Sequence, residues 1–423
     1  MLNVLIKNAK VYYENALQNA DMLIENGTVV SVGAGIAVSS DFPVIDAEKL
    51  MILPGFADVH VHLREPGFFY KESIETGTQA AAKGGFTLVC SMPNLNPVPD
   101  SAENLKAQQD IIDKDAVIKV LPYASITIGE KGQQLVDFEE IGDKCFAFSD
   151  DGKGVQNTET MKQAMLRAKA VGKPIVAHCE DESLLFGGYI HDGEYARLHG
   201  HRGICSESEW GPVARDVELV RETGTQYHVC HISTKETVDI IRKAKADGLP
   251  VSCETAPHYL AFCDMELEEH GMWKMNPPIR SAADRDALIK GVQDGTIEII
   301  ATDHAPHSDE EKLKGLEKSN MGVIGLETSF AAMNTYMVKR GYITMEKLVQ
   351  LMSINPREKF GMTAGIKVGE KADFVLVDPD KEWVVKPPFA TKGNYTPFLG
   401  KTLYGDVLLT VFDGKVVYNN IQD

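Results

Sequence analysis

The sequence has few cysteines, and none of them forms a paired motif. The 7 cysteines in 423 residues include no Cys-x-x-Cys pair, and their number is odd. This pattern argues against a disulfide framework and against a zinc site built from cysteines. Cys179 and Cys230 each adjoin a histidine. Because neighbours on a strand point to opposite faces, we predict that both cysteines pack behind those histidines.

Positive charge and long apolar runs are also scarce. Lys and Arg total 43 against 61 Asp and Glu, which gives a formal charge of −18. This balance argues against a nucleic-acid surface or an anionic membrane surface. No stretch approaches the roughly 18 apolar residues of a membrane span. The apolar run near the N-terminus is interrupted by Lys7 and Lys10, and it lacks the small-residue cleavage site of a signal peptide. We therefore expect a cytoplasmic protein.

Both ends of the chain have the pattern of short strands separated by turns. Asn26-Gly27 is a hairpin signal near the start, and KADFVLVDPD, GDVLLTVFDG and KVVYN follow one another near the end. No Pro/Gly/Ser-rich or charged linker separates the ends from the middle. We predict that residues 1–53 and 357–423 form one small β-sandwich domain, packed directly on a larger domain of residues 54–356.

The middle of the chain alternates apolar, strand-like runs with amphipathic, helix-like stretches. The runs are PGFADVHVHLR, FTLVCSMPN, IKVLPYASIT, KCFAFSDDG, PIVAHCED, QYHVCHIST, PVSCETAPHY and IEIIATDHAPH. One helical stretch opens at Ser233-Thr234 and closes on Gly248. Eight strand–helix units in series predict an α/β fold, a (β/α)8 TIM-like barrel.

Polar side chains gather at the carboxyl ends of these runs, and the active site of such a barrel lies at that face. They are His60, His62, Asn94, Asp151, His178, His231, His258, Asp303 and His307. Side chains that bind metals and transfer protons are what a catalytic site needs, whereas a purely structural core avoids them.

The histidines among them favour a metal site. His60 and His62 lie two apart on a strand, so both imidazoles point the same way and can converge on one ion. Together with His178, His231 and Asp303 they offer more ligands than one tetrahedral zinc needs. The number of ligands therefore predicts two metals, which need a bridging anion to lie about 3.5–4 Å apart. Asp150 and Asp151 face opposite ways, so only one of them can bridge.

Several motifs resemble those of one known family. PGFADVHVHLREPG, SMPN, DDGKGV, AHCED, ETAPHY, MNPPIR, TDHAPH and GLET together resemble the dihydroorotases of the amidohydrolase superfamily, in their long bacterial form. The resemblance covers essentially the whole chain. It implies a zinc-dependent enzyme of pyrimidine biosynthesis that interconverts N-carbamoyl-L-aspartate and L-dihydroorotate, with about two Zn²⁺ ions per chain.

The resemblance also implies a role for each metal ligand. One zinc would be held by His60, His62 and Asp303, the other by His178 and His231, with Asp151 between them. Asp303 would in addition transfer the proton during catalysis. Other members of the superfamily bridge their metals with a carboxylated lysine, so Lys153 and Asp150 remain rivals for the bridging position.

For the substrate carboxylate, the resemblance implies Arg64, Asn94 and His307. The guanidinium fork of Arg64 matches a carboxylate with two hydrogen bonds. For the amide edges of the ring it implies Asn276 and the backbone of Met321 and Gly322, although the family commonly has an aromatic residue where this chain has Met321. His258 has no role implied beyond a structural one or support of a ligand.

Two other functions stay open at the level of sequence. A hydantoinase or allantoinase uses the same barrel, but a dedicated Arg64 suits a substrate with a free carboxylate. A non-catalytic partner of aspartate transcarbamoylase should have lost metal ligands, and every ligand type is present. Association with that enzyme and a homodimer are both open for a catalytic chain. We predict that residues 309–312 form a solvated loop at the barrel mouth, able to act as a lid.

Overall fold

A closed barrel of parallel strands forms the centre of the protein, whose computed structural model describes residues 1–421. The strands are β6 (Phe56–Val61), β7 (Phe86–Ser91), β8 (Lys119–Pro122), β9 (Ile175–Ala177), β12 (Tyr227–Val229), β13 (Val251–Thr255) and β14 (Ile299–Ile300). The fourth position is a single residue, Phe148, which bridges Ala124 on one side and Ile175 on the other. A parallel bridge between Val61 and His304 closes the ring. The predicted (β/α)8 barrel is confirmed.

Helices follow the strands and cover the outside of the barrel. The longer ones are α1 (Ile74–Lys83), α2 (Ala102–Asp115), α4 (Thr158–Ala170), α6 (Glu207–Thr223), α7 (Lys235–Ala246) and α9 (Ala282–Asp294). Most begin where a hydroxyl or amide side chain accepts a hydrogen bond from a free backbone N–H, as Thr234 does for α7. The predicted helix between Ser233-Thr234 and Gly248 is thus confirmed.

Shorter helices and two small strands lie in the connections. They are α3 (Phe138–Ile141), α5 (Glu194–His199), α8 (Pro257–Ala261), α10 (Asp309–Lys312), α11 (Gly315–Lys318), α12 (Ser329–Met333), α13 (Met345–Val349) and α14 (Asn355–Glu358). The strand pair β10 (Ile190–His191) and β11 (Gly203–Ile204) lies in the long connection after β9. Turns of π-helix extend α12 and α13.

Strands from both ends of the chain pair in one eight-stranded sheet. They are β1 (Val4–Tyr13), β2 (Ala16–Glu25), β3 (Thr28–Gly33), β4 (Val44–Asp46), β5 (Met51–Pro54), β15 (Phe374–Val384), β16 (Thr402–Phe412) and β17 (Lys415–Asn419). The antiparallel pairing of β5 with β15 joins the two ends, and Asn26-Gly27 turns β2 into β3 as predicted. The exact domain boundaries at residues 53 and 357 stay a prediction.

Separate apolar clusters stabilise the two parts. Buried side chains such as Ile6, Met22, Phe374 and Leu409 form the core of the sheet. Inside the barrel a smaller cluster joins strands on opposite sides, and Tyr123 donates to the carbonyl of Val59 across it at 2.9 Å. The barrel is therefore filled, and its open space lies at the strand ends. Across residues 1–421, no helix is both long and apolar enough to cross a membrane.

Candidate metal centre and active site

The barrel brings the predicted metal ligands together at the carboxyl ends of its strands. His60 is on β6 and His62 follows that strand, while Asp151 follows the fourth position. His178 comes directly after β9, while His231 and Asp303 lie in the first three residues after β12 and β14. All of these side chains are buried. Strands far apart in sequence thus place four imidazoles and two carboxylates in one pocket.

Asp151 lies at the centre of this cluster. Its Oδ1 is 3.3 Å from His60 Nε2, 3.6 Å from His231 Nε2 and 3.7 Å from His178 Nδ1. Its Oδ2 is 3.4 Å from His62 Nε2. Burial alone would raise the pKa of Asp151, but His60 and the other imidazoles hold it well below its ordinary value. The carboxylate therefore stays ionised among four nitrogen ligands.

Asp303 lies beside the first pair of histidines. Its Oδ1 is 3.1 Å from His62 Nε2 and 3.6 Å from His60 Nε2. The nearby imidazoles lower the pKa of Asp303 although burial opposes them. Its backbone has φ +49°, and His231 and Arg64 have φ +30° and +61°. A left-handed backbone raises the conformational free energy of a residue that has a Cβ, and residues strained in this way are common at functional sites.

The buried polar atoms of the cluster fit metal ions. Within residues 1–421, His60 Nε2 and Asp151 Oδ1 are both buried and have no hydrogen-bond partner. Ligand atoms of His60, His62 and Asp303 lie within 4.8 Å of one another, as do those of His60, Asp151 and His231. Imidazole nitrogens and carboxylate oxygens are the donor atoms that zinc and related divalent ions prefer. The residues present can hold a divalent metal.

A carboxylate and an amide behind the histidines fix their orientation. Glu254 Oε1 accepts from His60 Nδ1 at 2.7 Å, and its other oxygen lies 3.1 Å from His228 Nε2. Asn94 Oδ1 lies 2.8 Å from His62 Nδ1. A hydrogen bond to the second ring nitrogen sets the tautomer and leaves the first nitrogen free to bind a metal. Sequence reasoning missed Glu254, although it lies in the ETAPHY run at the end of β13.

Asp58 supports the same face from below. Its Oδ1 accepts from the backbone N–H of His60 at 3.0 Å, and its Oδ2 accepts from the hydroxyl of Thr302 at 2.6 Å. Asp58 thereby links β6 to the residue before Asp303. The two strands that carry His60 and Asp303 are held in register at the point where the barrel closes.

The two other candidates for the bridging position, Asp150 and Lys153, do not face the histidine cluster. Asp150 is buried, and its Oδ1 accepts from the backbone N–H groups of Ile126 and Thr127 at 2.7 and 3.0 Å. Its Oδ2 accepts from the Thr127 hydroxyl. Lys153 is exposed. Asp150 therefore stabilises the loop after β8, and Asp151 is the carboxylate that faces the histidines.

A cavity of about 230 Å³ adjoins the cluster. Its lining includes Asp151, His178, His231 and Asp303 together with every residue that the sequence suggested for substrate contact: Arg64, Asn94, Asn276, His307, Met321 and Gly322. The pocket is thus lined by metal-binding groups on one side and by neutral and cationic donors on the other.

Arg64 is buried in this cavity without an acidic partner. Its Nε donates to the carbonyl of Pro306 at 3.3 Å, and its Nη2 lies 3.4 Å from His307 Nε2. Glu65, the surface acid that could have paired with it, instead accepts from the backbone N–H of Ile74. In the part of the chain that the structure describes, no carboxylate lies within ion-pair distance of this guanidinium. A buried charge without a partner is costly, so the pocket is suited to an anion.

His307 is neutral at ordinary pH and linked to its surroundings through both ring nitrogens. Burial, together with the charges of Arg64 and Lys71, lowers its pKa to about 3. Nε2 lies 2.8 Å from the carbonyl of Met321, which places the proton of the neutral ring on Nε2. Nδ1 lies 3.0 Å from Glu311 Oε2 and 3.3 Å from Lys71 Nζ. Lys71 itself pairs with Glu311 at 2.9 Å.

The other wall of the cavity is made by Asn276, Met321 and Gly322. Asn276 donates from Nδ2 to Glu180 at 3.0 Å, and its buried Oδ1 has no partner among the described residues. The N–H of Gly322 donates to the carbonyl of Lys274 at 3.0 Å, and the Gly322 carbonyl accepts from Lys312. Both backbone groups of Gly322 are therefore already bonded within the protein, which the sequence did not indicate.

The remaining predictions for this region have mixed outcomes. Cys179 and Cys230 are buried, and His258 is buried beside Tyr259 with its Nε2 unpartnered within residues 1–421. The prediction of a solvated loop at residues 309–312 holds only for Asp309 and Glu310, which are exposed. The segment forms α10 and not a loop, and Lys312 is fully buried, where its ammonium binds three backbone carbonyls. The lid role stays a prediction.

Several known proteins are similar to this chain over nearly its whole length. A family model described as Dihydro-orotase-like matches residues 49–237. A dihydroorotase of Fusobacterium nucleatum is 46% identical over 98% of this chain and 98% of its own length. A dihydroorotase of Ligilactobacillus salivarius is 48% identical over 98% of both chains. This chain belongs to the dihydroorotase family.

Solved structures with the same architecture include a hydantoinase and a dihydropyrimidinase. The L-hydantoinase of Arthrobacter aurescens superposes with a TM-score of 0.88 over 100% of this chain and 97% of that one, at 25% identity. The dihydropyrimidinase of Brevibacillus agri superposes with a TM-score of 0.85 over 99% of this chain and 95% of that one, also at 25% identity. The dihydroorotase family member described here therefore has the barrel-and-sheet architecture of these enzymes.

Proposed function

We propose that this chain is a zinc-dependent dihydroorotase, which reversibly hydrolyses the ring of L-dihydroorotate to N-carbamoyl-L-aspartate in pyrimidine biosynthesis. The observation that carries the proposal is the buried guanidinium of Arg64, which has no carboxylate partner within residues 1–421 and lies in the same cavity as the histidine and aspartate cluster. A cyclic amide that bears a free carboxylate satisfies both groups at once. Hydantoin and allantoin lack that carboxylate.

The geometry supports two metal positions that share Asp151. His60, His62 and Asp303 would hold one ion, and His178 and His231 would hold the other. Asp151 Oδ1 lies within 3.7 Å of His60, His178 and His231, while Oδ2 faces His62. A carboxylate in this place can bind both ions and offset their mutual repulsion. When bound, divalent metal ions lower the pKa of water towards about 7 and polarise an amide carbonyl.

Asp303 is positioned to move the proton. Its Oδ1 faces the cluster, and its low pKa keeps it ionised and able to accept a proton. In ring opening, Asp303 would take the proton of the attacking water as the C–O bond forms. It would then deliver that proton to the ring nitrogen as the C–N bond breaks. In ring closure the same carboxylate would remove the proton from the carbamoyl nitrogen.

The opposite side of the cavity would orient the substrate. Arg64 would bind the carboxylate with two hydrogen bonds, and Asn94 would add neutral donors. His307 would turn its Nε2–H from the Met321 carbonyl to the same carboxylate. Asn276 has a buried Oδ1 without a partner in residues 1–421, and this oxygen can accept from a ring N–H. A homodimer and an association with aspartate transcarbamoylase remain predictions from the sequence.

The function is tested by turnover of L-dihydroorotate by the purified protein, with hydantoin and allantoin as parallel substrates and metal content measured on the same sample. We expect ring opening of dihydroorotate alone and close to two zinc ions per chain, as a shared carboxylate requires. Activity confined to hydantoin or allantoin would contradict the carboxylate role of Arg64. A protein without metal and without turnover would favour a non-catalytic partner role.

A further inference from the structure

A lysine ammonium is buried beneath the mouth of the barrel. Lys312, at the end of α10, has no exposed surface. Its Nζ donates to the carbonyls of Gly322 at 2.7 Å, Asn320 at 2.8 Å and Lys274 at 3.0 Å. Three carbonyls surround Nζ, the number of acceptors that a protonated ammonium can serve. The group therefore cross-links two chain segments that are otherwise about 45 residues apart in sequence.

The energetic cost of this arrangement is high. No acidic side chain pairs with Lys312 within residues 1–421, since the adjacent Glu311 is paired with Lys71. Burial and the charge of Lys274 lower the pKa of Lys312 to about 7, and Glu311 partly opposes them. An apolar side chain would fill the same space without this penalty. What the ammonium supplies and an apolar side chain cannot is the set of three directed hydrogen bonds.

The two segments that Lys312 joins form one wall of the cavity. Lys274 precedes Asn276 by two residues, and its carbonyl accepts from both Lys312 and the N–H of Gly322. Asn320 and Gly322 flank Met321, whose carbonyl lies 2.8 Å from His307. The side chain of Lys274 adds a second bond to the same loop, to the carbonyl of Glu317 at 2.6 Å. The spacing between Asn276 and the backbone at Met321 and Gly322 thus depends on the Lys312 ammonium.

We propose that Lys312 is a positioning residue for the substrate ring: by holding the carbonyls of Lys274, Asn320 and Gly322, it fixes the wall of Asn276, Met321 and Gly322 against which the ring lies. This inference rests on the proposed function. Lys312 does not line the cavity, so it acts through these backbone groups and not by contact with substrate. It selects for the ring, whereas Arg64 selects for the carboxylate.

The test compares Lys312→Met with Lys318→Met in the metal-loaded enzyme. Lys318 is an exposed residue of α11 in the same loop, so its variant controls for the loss of one positive charge. For each protein, kcat and KM for L-dihydroorotate are measured with the inhibition constants of orotate and succinate. Orotate keeps the ring and its carboxylate, while succinate offers carboxylates without a ring.

In Lys312→Met we expect KM and the inhibition constant of orotate to rise at least ~10-fold, because a displaced wall no longer fits the ring. The inhibition constant of succinate and the metal content should stay within ~2-fold of wild type, because Arg64 and the ligands are untouched. Lys318→Met should match wild type. Lys312→Gln keeps two N–H donors, so its KM and its inhibition constant of orotate should lie between those of wild type and Lys312→Met. The glutamine variant replaces the methionine variant if the latter does not fold.

Two results would overturn the inference. One is a Lys312→Met or Lys312→Gln protein with lower thermal stability but unchanged KM and orotate affinity, which is the outcome of a purely structural role. The other is equal weakening of orotate and succinate. If the wild type itself fails to open dihydroorotate, the proposed function fails and this inference fails with it. Normal wild-type turnover with an unchanged ring affinity in the variants would remove only the role of Lys312.

Discussion

Oδ1 of Asp151 lies 3.3 Å from Nε2 of His60, and neither buried atom has a hydrogen-bond partner among the described residues. Glu254 binds the other nitrogen of His60 at 2.7 Å, so Nε2 is the ring nitrogen that faces the carboxylate. Two electron-rich atoms at this distance are stabilised by a cation bound between them. This pair is the structural basis for placing Asp151 at the centre of the metal site.

Replacing Asp151 with Asn should remove metal from the protein. The amide loses the negative charge that offsets two divalent cations, so we expect zinc per chain to fall by at least half and turnover to fall by more than ~100-fold. Elemental analysis of the purified variant measures the metal directly. Asp150→Asn is the matched control, because Asp150 bonds the loop after β8. It should lower the melting temperature and keep the metal, and a metal-replete Asp151→Asn protein would contradict the assignment.

Replacing Asp303 with Asn tests proton transfer. The amide keeps the shape of the side chain but cannot accept a proton at neutral pH. We therefore expect kcat to fall by ~10²–10⁴-fold, the range typical of general acid–base catalysis. The melting temperature of the metal-loaded protein should change by only a few degrees. Near wild-type kcat in a variant that is verified by mass spectrometry would refute the role of Asp303.

Replacing Arg64 with Met tests recognition of the carboxylate. We expect KM for L-dihydroorotate and the inhibition constant of succinate to rise together by ~10-fold or more, because a charge-assisted pair is lost. Arg64→Lys should recover only part of the loss, since an ammonium cannot form the two-pronged contact. Steady-state kinetics and competitive inhibition provide both values. A succinate constant that does not change in Arg64→Met would show that the carboxylate binds elsewhere.

Glu130 gives a prediction for pH dependence. This carboxyl group is buried with Oε1 unpartnered in residues 1–421, and burial, reinforced by the charge of Asp150, raises its pKa from 4.5 to about 9. Between these values the folded state holds a proton that the unfolded state has lost. Stability therefore falls as pH rises from about 4.5 to about 9, with the full contribution present below the lower value.

The isosteric variant Glu130→Gln lacks this titration. The free energy of unfolding of Glu130→Gln minus that of wild type should therefore be larger at pH 8 than at pH 5, by more than ~1 kcal/mol. Denaturant unfolding of both proteins at the two pH values measures the difference, and metal effects common to both cancel. A difference between the proteins that does not change with pH would mean that Glu130 is ionised in the folded state.

Much of the barrel could be predicted from sequence because its signals are local. Each apolar run ends in a polar residue, and the parallel arrangement carries those ends to one face, as for His60 and Asp303. The fourth run forms only the bridge at Phe148, since the DDG turn begins within two residues of it. Local patterns do not indicate how many residues of such a run will pair.

The supporting residues could not be predicted because their partners are distant in sequence. Glu254 is separated from His60 by 194 residues, and nothing in its own run distinguishes it from a charged residue at a strand end. Lys312 lies in an Asp-Glu-Glu-Lys run that has the composition of a solvated loop. Its burial depends on carbonyls of Lys274, Asn320 and Gly322, which carry no side-chain signal.

The most direct test of the account is a stoichiometric zinc titration of the metal-free protein, followed by its rate of L-dihydroorotate ring opening. If Asp151 joins two ions in one site, the rate should rise to a plateau at about two equivalents per chain and stay low below one. A plateau at one equivalent, or ring opening by the metal-free protein, would contradict the shared-carboxylate centre proposed here.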